Sequence, residues 1–422
     1  MSLAATFQSL VIAFAPFYIL RGYIPLPILN LNIPTTLLEV LIILSLVSTF
    51  VGYLKSKDNL KVFRTKFDRL ILLFLFASFI SIFFSPDFIG GIGIFRAYFL
   101  EPILFYYALV YETRKVGYGF VINSLVVSGL ILSLIAIIQK FSGLLVFAPH
   151  ELEQGRVSGV YNSANSLALY LGPISILSLS IFLKLKNNFK FLYLGLFLLN
   201  VLILLWTRSR GGLAAEAGAV LIMVYGILSV SSDFKIKFVK IRTEVFRRLW
   251  VFIPILFILF TTFFYTQIYQ IYSTYPQYIA AHEVKGDTLH IRYLIWKSTI
   301  EMLKDSPLFG AGLDGFKSAY EQIYKPSIFP EQFQYPHNLI LTFWVETGIL
   351  GLIAFLLLIY KVYFLLMKNI FKTKDPYLGI ALIAIMTYWM IHGLVDVPYF
   401  KNDLSLEFWV VLALISGFLE NK

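Results

Sequence analysis

Residues 119–139 read GFVINSLVVSGLILSLIAIIQ, without a charged side chain from end to end, and Arg114 and Lys115 stand just ahead of them. A bilayer core offers backbone N–H and C=O groups no water, so a run of about 20 apolar residues crosses it as a helix that satisfies its own hydrogen bonds. Working outward, runs of the same kind fall near 3–20, 36–54, 67–85, 91–111, 119–139, 163–183, 190–206, 211–230, 250–268, 338–360, 376–393 and 404–420. The reading is an all-α, polytopic integral membrane bundle of about twelve transmembrane helices. It forms a single domain over 1–422. The first run has no basic residues ahead of it and no small-residue cleavage site behind it, so it reads as a retained helix and not a signal peptide.

Composition agrees. Of 422 residues, 59% are hydrophobic and 14% charged, against roughly 25% charged in soluble domains. Phe is abundant at 41, with 26 Tyr and 6 Trp; Phe suits a lipid-facing surface, Tyr and Trp the interface. The net charge of +11 sits in short loops between apolar runs, which speaks for a membrane surface and against nucleic acid. There is no cysteine, which removes disulfides, iron–sulfur clusters and thiolate zinc sites.

Basic residues also set an orientation, because loops on the cytoplasmic side carry the excess of Lys and Arg. Lys55 to Arg69, Arg114 and Lys115, Lys184 to Lys190, Lys235 to Arg248 and Lys361 to Lys374 fall in loops on one side. The short loops between them hold far fewer, Arg21, Lys140, Arg156, Arg208, Arg210 and Lys401. Both termini are therefore expected in the cytoplasm, in a plasma (inner) membrane. The segment 269–337 becomes a large extracytoplasmic loop between the ninth and tenth helices, and loops that long are usually functional or disordered. Within it, Leu289, Tyr293, Trp296, Ile300 and Leu303 have helical spacing. They predict an amphipathic helix on the membrane surface or against the bundle, ended by Pro307 and the glycines after it.

Charges at helix mouths are costly in a membrane and are candidates for function. Trp206-Thr207-Arg208-Ser209-Arg210-Gly211-Gly212 puts two arginines in a short outer turn against the charge trend. Arg matches a diphosphate through its planar fork. Gly211 and Gly212 would admit a ligand to the backbone at a helix N-terminus, where anions are favoured. Arg292 lies one turn before Trp296, and Arg156 precedes Asn162 and Asn165. His337, in Pro336-His337-Asn338, is the candidate general base. Each could equally face lipid headgroups. Glu346 falls inside the tenth helix and needs a partner, with the arginines as candidates; His392 and Asp396 read as structural. Gly310-Ala311-Gly312-Leu313-Asp314-Gly315 fits a dinucleotide pattern but follows a helix, outside any βαβ unit, and is read as a turn.

Taken in order, these stretches resemble the O-antigen ligase and polymerase family. The resemblance is carried by Pro336-His337-Asn338-Leu339 with Trp344-Val345-Glu346-Thr347-Gly348-Ile349-Leu350-Gly351-Leu352. Ser209-Arg210-Gly211, Arg292 with Trp296 ahead of Asp305 to Gly312, Gly159 to Asn165, and His392 to Asp396 add to it. It runs from about residue 150 to the C-terminus and departs at Ser163-Ala164-Asn165, where many members have a proline. It implies a GT-C type, inverting, metal-independent glycosyltransferase with no cofactor. The donor would be a glycan on polyprenyl diphosphate. The acceptor would be a hydroxyl of lipid A core or another cell-envelope molecule, met on the periplasmic or exterior face. The essential residues carried over are Arg210, Arg292 and His337, with Arg208 and Arg156 as further diphosphate ligands. The first outer loop, Arg21 to Thr36, holds no acid, unlike related enzymes that place paired acids there for a metal. A repeat-unit polymerase or protein O-oligosaccharyltransferase would use the same donor chemistry. A lipid-linked glycan flippase is the non-enzymatic alternative, but transporters usually bind near the midplane between repeats.

Overall fold

The computed structural model describes residues 2–26, 31–56, 58–230, 288–326, 332–373 and 375–420. Helix α1 (Leu3–Phe14) is capped by the Ser2 hydroxyl, which accepts from Ala5 N at 3.0 Å, and runs on through a tighter turn to Ile19. An antiparallel hairpin follows, β1 (Arg21–Leu26) on β2 (Leu31–Thr36), with Arg21 opposite Thr36. The hairpin departs from the all-α, looped reading of this segment. Pro25 and Pro34 forbid a helix there, and each faces a non-proline partner, Asn32 and Tyr23. Thr36 and Glu39 then form a reciprocal capping box that starts α2 (Leu37–Ser56).

The chain continues through α3 (Asp68–Ser81), then α4 (Phe88–Phe95) and α5 (Glu101–Val116), which a π turn at Arg96–Leu100 joins into one rod. Next come α6 (Gly119–Ser142), the short α7 (Pro149–Glu153), α8 (Ala164–Lys184), α9 (Lys190–Thr207) and α10 (Arg210–Val230). After the undescribed stretch stand α11 (Thr288–Asp305), α12 (Gly315–Ala319), α13 (Leu339–Asn369), α14 (Pro376–His392) and α15 (Asn402–Glu420). Every expected span except the ninth lies on one of these helices; 250–268 lies outside the described residues. Among the described residues, 8 helices are long and apolar enough to cross a membrane. This is a polytopic membrane protein.

Helices α8 and α15 are enclosed by the others, whereas α2, α9 and α10 bury one side only. Their outward faces carry residues such as Ile43, Val47, Phe50, Leu198 and Leu221, the pattern for contact with lipid. An aromatic seam of Phe74, Phe99, Phe343, Phe355, Tyr399 and Trp409 locks α3, α13 and α15 together. The two ends of the bundle are tied by different polar networks. At one, Arg114 pairs with Glu420, Lys115 with Asp58 at 2.9 Å and Lys184 with Asp375 at 2.6 Å. The other end holds the hairpin and all the candidate site residues.

Helix α11 is amphipathic, as its spacing predicts, and lies against the bundle. Its buried face differs from the expected one. Ile295, Met302 and Leu303 pack with Phe316, Tyr320 and Val345, while Ile300 is exposed. The reason is that α12 and the turn after it cover one flank of α11, so the seam is set by what packs on it.

Candidate active site

Three turns at the same end of the bundle build the site. The first opens α13. Asn338 is its N-cap, accepting Leu341 N at 3.0 Å, while its Nδ2 donates to Leu394 O at 3.0 Å. Leu339 N also donates to Gly393 O at 2.7 Å. The start of α13 is thus zipped to the turn that follows α14. To make this junction His337 takes the left-handed conformation, with φ of 53°, a sparsely populated region that costs free energy and tends to occur at functional sites.

That zip brings together His337 Nδ1 and Asp396 Oδ1, 3.2 Å apart. Asp396 is buried, and its Oδ1 also accepts Val397 N at 2.9 Å. Burial alone would push the Asp396 carboxyl up; the hydrogen bond from His337, with the neighbouring His337, His392 and Arg292, outweighs it and holds the group well below the usual carboxylate range. An ionised Asp396 accepts the Nδ1 hydrogen of His337. The lone pair of a neutral ring is then on Nε2, which bonds no described residue, and the side chain is 35% exposed. This is the geometry of a base held in the useful tautomer. Asp396, expected to be structural, is the residue that orients His337. Its sequence signal was only a lone acid in an apolar turn.

The second turn brings the cations. Trp296 Nε1 donates to Pro336 O at 2.9 Å, clamping α11 to the His337 turn. One helical turn earlier, Arg292 reaches the same region. Its Nε is buried without a hydrogen-bond partner. Burial pushes its pKa down, the Asp396 charge opposes this and the Arg156 charge adds to it. Both Asp396 and His392 feel its charge.

The third turn joins α9 to α10. Arg210 is the first residue of α10, is exposed, and bonds no described residue. Arg208 is left-handed, with φ of 51°, and its guanidinium donates to Gln154 O at 3.0 Å over Gly155. Arg156 is committed internally. Its Nε donates to Thr207 O at 2.8 Å, Nη2 to Asn165 Oδ1 at 2.9 Å, and Nη1 pairs with Glu151 at 2.8 Å. Gly211 and Gly212 serve packing and not ligand approach. A Cβ on Gly211 would stand 2.6 Å from Val395 Cγ2, and one on Gly212 2.9 Å from Ala168 Cβ.

Glu346, for which an arginine partner was considered, instead accepts the backbone N–H groups of Asp314 at 2.6 Å and Phe316 at 3.2 Å. It caps the turn of the G-x-G-x-x-G stretch, whose Gly310 and Gly312 have φ of 65° and 77°. Helix α13 breaks at Gly348, with φ of 67°, and the turn sits in the break. Ile349 N donates to Leu308 O at 3.0 Å and Ala311 N to Val345 O at 2.7 Å. On the far side of Asp396, half-buried Lys401 donates to Ser166 and lies over the Tyr161 ring, while Tyr161 donates to Asp403 at 2.6 Å. This cluster anchors the segment after Asp396 to the start of α8. Among the described residues no three His, Asp or Glu side chains gather as metal ligands.

Residues 195–356 match the O-antigen ligase family. The matched stretch takes in Arg208, Arg210, Arg292 and His337 and ends just past Gly348, while Arg156, His392 and Asp396 lie outside the match. A Haemophilus influenzae protein described as uncharacterized is 28% identical over 89 residues, 20% of this chain and 22% of that protein. The match covers less than half of the chain.

Proposed function

We propose that the protein moves a glycan from a polyprenyl diphosphate carrier to an acceptor hydroxyl on the outer face of the plasma membrane, with inversion and without a metal. The observation that carries this reading is the His337–Asp396 pair at 3.2 Å with Arg292 beside it. His337 Nε2 takes the proton of the acceptor hydroxyl as its oxygen attacks the anomeric carbon. The bond from that carbon to the diphosphate oxygen breaks, and the electron pair leaves with the diphosphate. Asp396 stabilises the imidazolium. Arg210 and Arg292 bind the diphosphate and oppose the charge that develops on it as the leaving group departs. Arg208 and Arg156 border the same turn and extend its positive field. Since arginines supply the charge, a chelator is expected to leave the rate unchanged.

In this reading both termini are cytoplasmic, 269–337 is extracytoplasmic, and the site end faces the periplasm or exterior. The acceptor is lipid A core, a growing glycan or a protein. The test is reconstitution in liposomes with polyprenyl-diphosphate glycan and an envelope extract as acceptor source. Wild type should release polyprenyl diphosphate and label an acceptor, and the product identifies which of the three it is. His337→Ala should lose about 10²–10⁴-fold, the usual weight of a general base. Movement of intact donor across the bilayer without release would replace this reading with a flippase.

A further inference from the structure

His392 ends α14 with 1% exposure. Its ring packs on the first turn of α10, where a Cβ added to Gly211 would lie 2.9 Å from Cδ2 and one added to Gly212 3.3 Å from Cε1. On its other side it meets Tyr388 edge-on at 5.7 Å. A leucine could fill such a space. The imidazole brings a cost instead, because its Nδ1 is buried with no hydrogen-bond partner, and an unmet buried polar group destabilises the fold. What it gains is at Nε2, which lies 3.4 Å from Ser209 Oγ. Ser209 Oγ already accepts Gly212 N at 3.2 Å, so its own hydrogen is free to be donated to Nε2. With its hydrogen on Nδ1, a neutral ring accepts the Ser209 hydrogen at Nε2.

The backbone of the same residue holds the other half of the site. His392 O accepts Val395 N at 3.1 Å and Asp396 N at 3.0 Å, the turn that carries the partner of His337. One buried residue thus bolts the turn presenting Arg208 and Arg210 to the turn presenting Asp396. Arg292, whose Nε is equally buried and unpartnered, lies within electrostatic reach of both.

We propose that His392 is a positioning residue for the donor diphosphate. Through Ser209 it holds the Arg210 turn in register with the His337–Asp396 pair, so that the cation meets the diphosphate while the base meets the acceptor. This rests on the transferase reading above.

The test uses the detergent-solubilised full chain and a short-chain polyprenyl diphosphate without glycan as binding probe, alongside transfer kinetics with the glycan donor. One hydrogen bond is worth about 1 kcal/mol, so His392→Leu and Ser209→Ala should each weaken probe binding about fivefold. The loss should appear in donor KM and leave kcat within about twofold. His392→Gln, whose side-chain carbonyl can accept the Ser209 hydrogen, should recover most of it. In an Arg210→Ala background His392→Leu should add nothing, because the group it positions is gone. Should His392→Leu misfold, Ser209→Ala carries the test, since it removes a single oxygen. Wild-type affinity in both variants, a glutamine as weak as leucine, or a fall in kcat at constant KM would each overturn the proposal while leaving the transferase standing. A wild-type protein that neither binds the probe nor transfers glycan overturns both.

Discussion

Arg156 and Arg210 differ in what their guanidinium groups have left to offer a ligand. All three nitrogens of Arg156 are engaged, and its partner Glu151 is buried. Arg156→Ala would strand that carboxylate, and breaking such a pair costs about 3 kcal/mol. A lowered thermal midpoint in detergent would register it. Arg210 is exposed and its side chain bonds no described residue, so Arg210→Ala is expected to keep stability within about 0.5 kcal/mol and still lose donor binding and transfer. Arg210→Lys should fail as well, because Lys cannot reproduce a bidentate fork. A fully active Arg210→Lys would remove that residue from the diphosphate. Asp396→Asn is expected to cost transfer heavily while the protein stays folded, since an amide leaves His337 free to adopt the wrong tautomer. The folded Asp396 carboxyl lies below its unfolded value of about 3.9. Its contribution is therefore complete above that value and is lost only as pH falls through the depressed folded one. A loss of transfer between pH 5 and 8 accordingly belongs to another group, and the acid limb of the wild-type profile should survive in Asp396→Asn if that is so.

At the scale of elements, the break in α13 and the turn after α11 are one device. A Cβ on Gly310 would stand 2.3 Å from Val345 O, and one on Gly348 2.4 Å from Leu308 O, and both glycines have positive φ. Only glycine lets these backbones touch while adopting a left-handed conformation. Seating this turn fixes α11, and α11 sets Arg292 and Trp296 against Pro336 and His337. Gly310→Ala or Gly348→Ala should therefore lower stability by at least about 2 kcal/mol and depress transfer, although neither residue approaches substrate. Glu346→Ala would orphan the buried N–H of Phe316, at about 1–3 kcal/mol, and the half-buried N–H of Asp314. Glu346→Gln keeps an acceptor and should lose less. Equal thermal midpoints for these two variants would remove the capping role.

At the scale of the whole molecule, sidedness is open to a direct test, because the chain has no cysteine of its own. Leu145→Cys and Tyr23→Cys, at the site end, should react with a membrane-impermeant maleimide on intact cells. Lys186→Cys, at the opposite end, should react only after permeabilisation. The reverse pattern would turn the site toward the cytoplasm and remove the proposed donor and acceptor together.

Long apolar runs determined the bundle by themselves, since a backbone in lipid has few ways to satisfy its hydrogen bonds, and every described span lies where its run placed it. The hairpin at Arg21–Thr36 was harder to read, because prolines that exclude a helix do not choose between a loop and paired strands. The candidates His337, Arg210 and Arg292 also stand out in the sequence, as polar groups where a membrane chain can least carry them. Partnership was not. Asp396 lies 59 residues from His337 and meets it only because Leu339 and Asn338 bond the end of α14. Arg156 and Arg210 have the same side chain, and only packing decided that one is spent on the protein and the other left free. Periodicity and composition are local properties of a chain, whereas a hydrogen-bond partner is set by where distant turns come to rest.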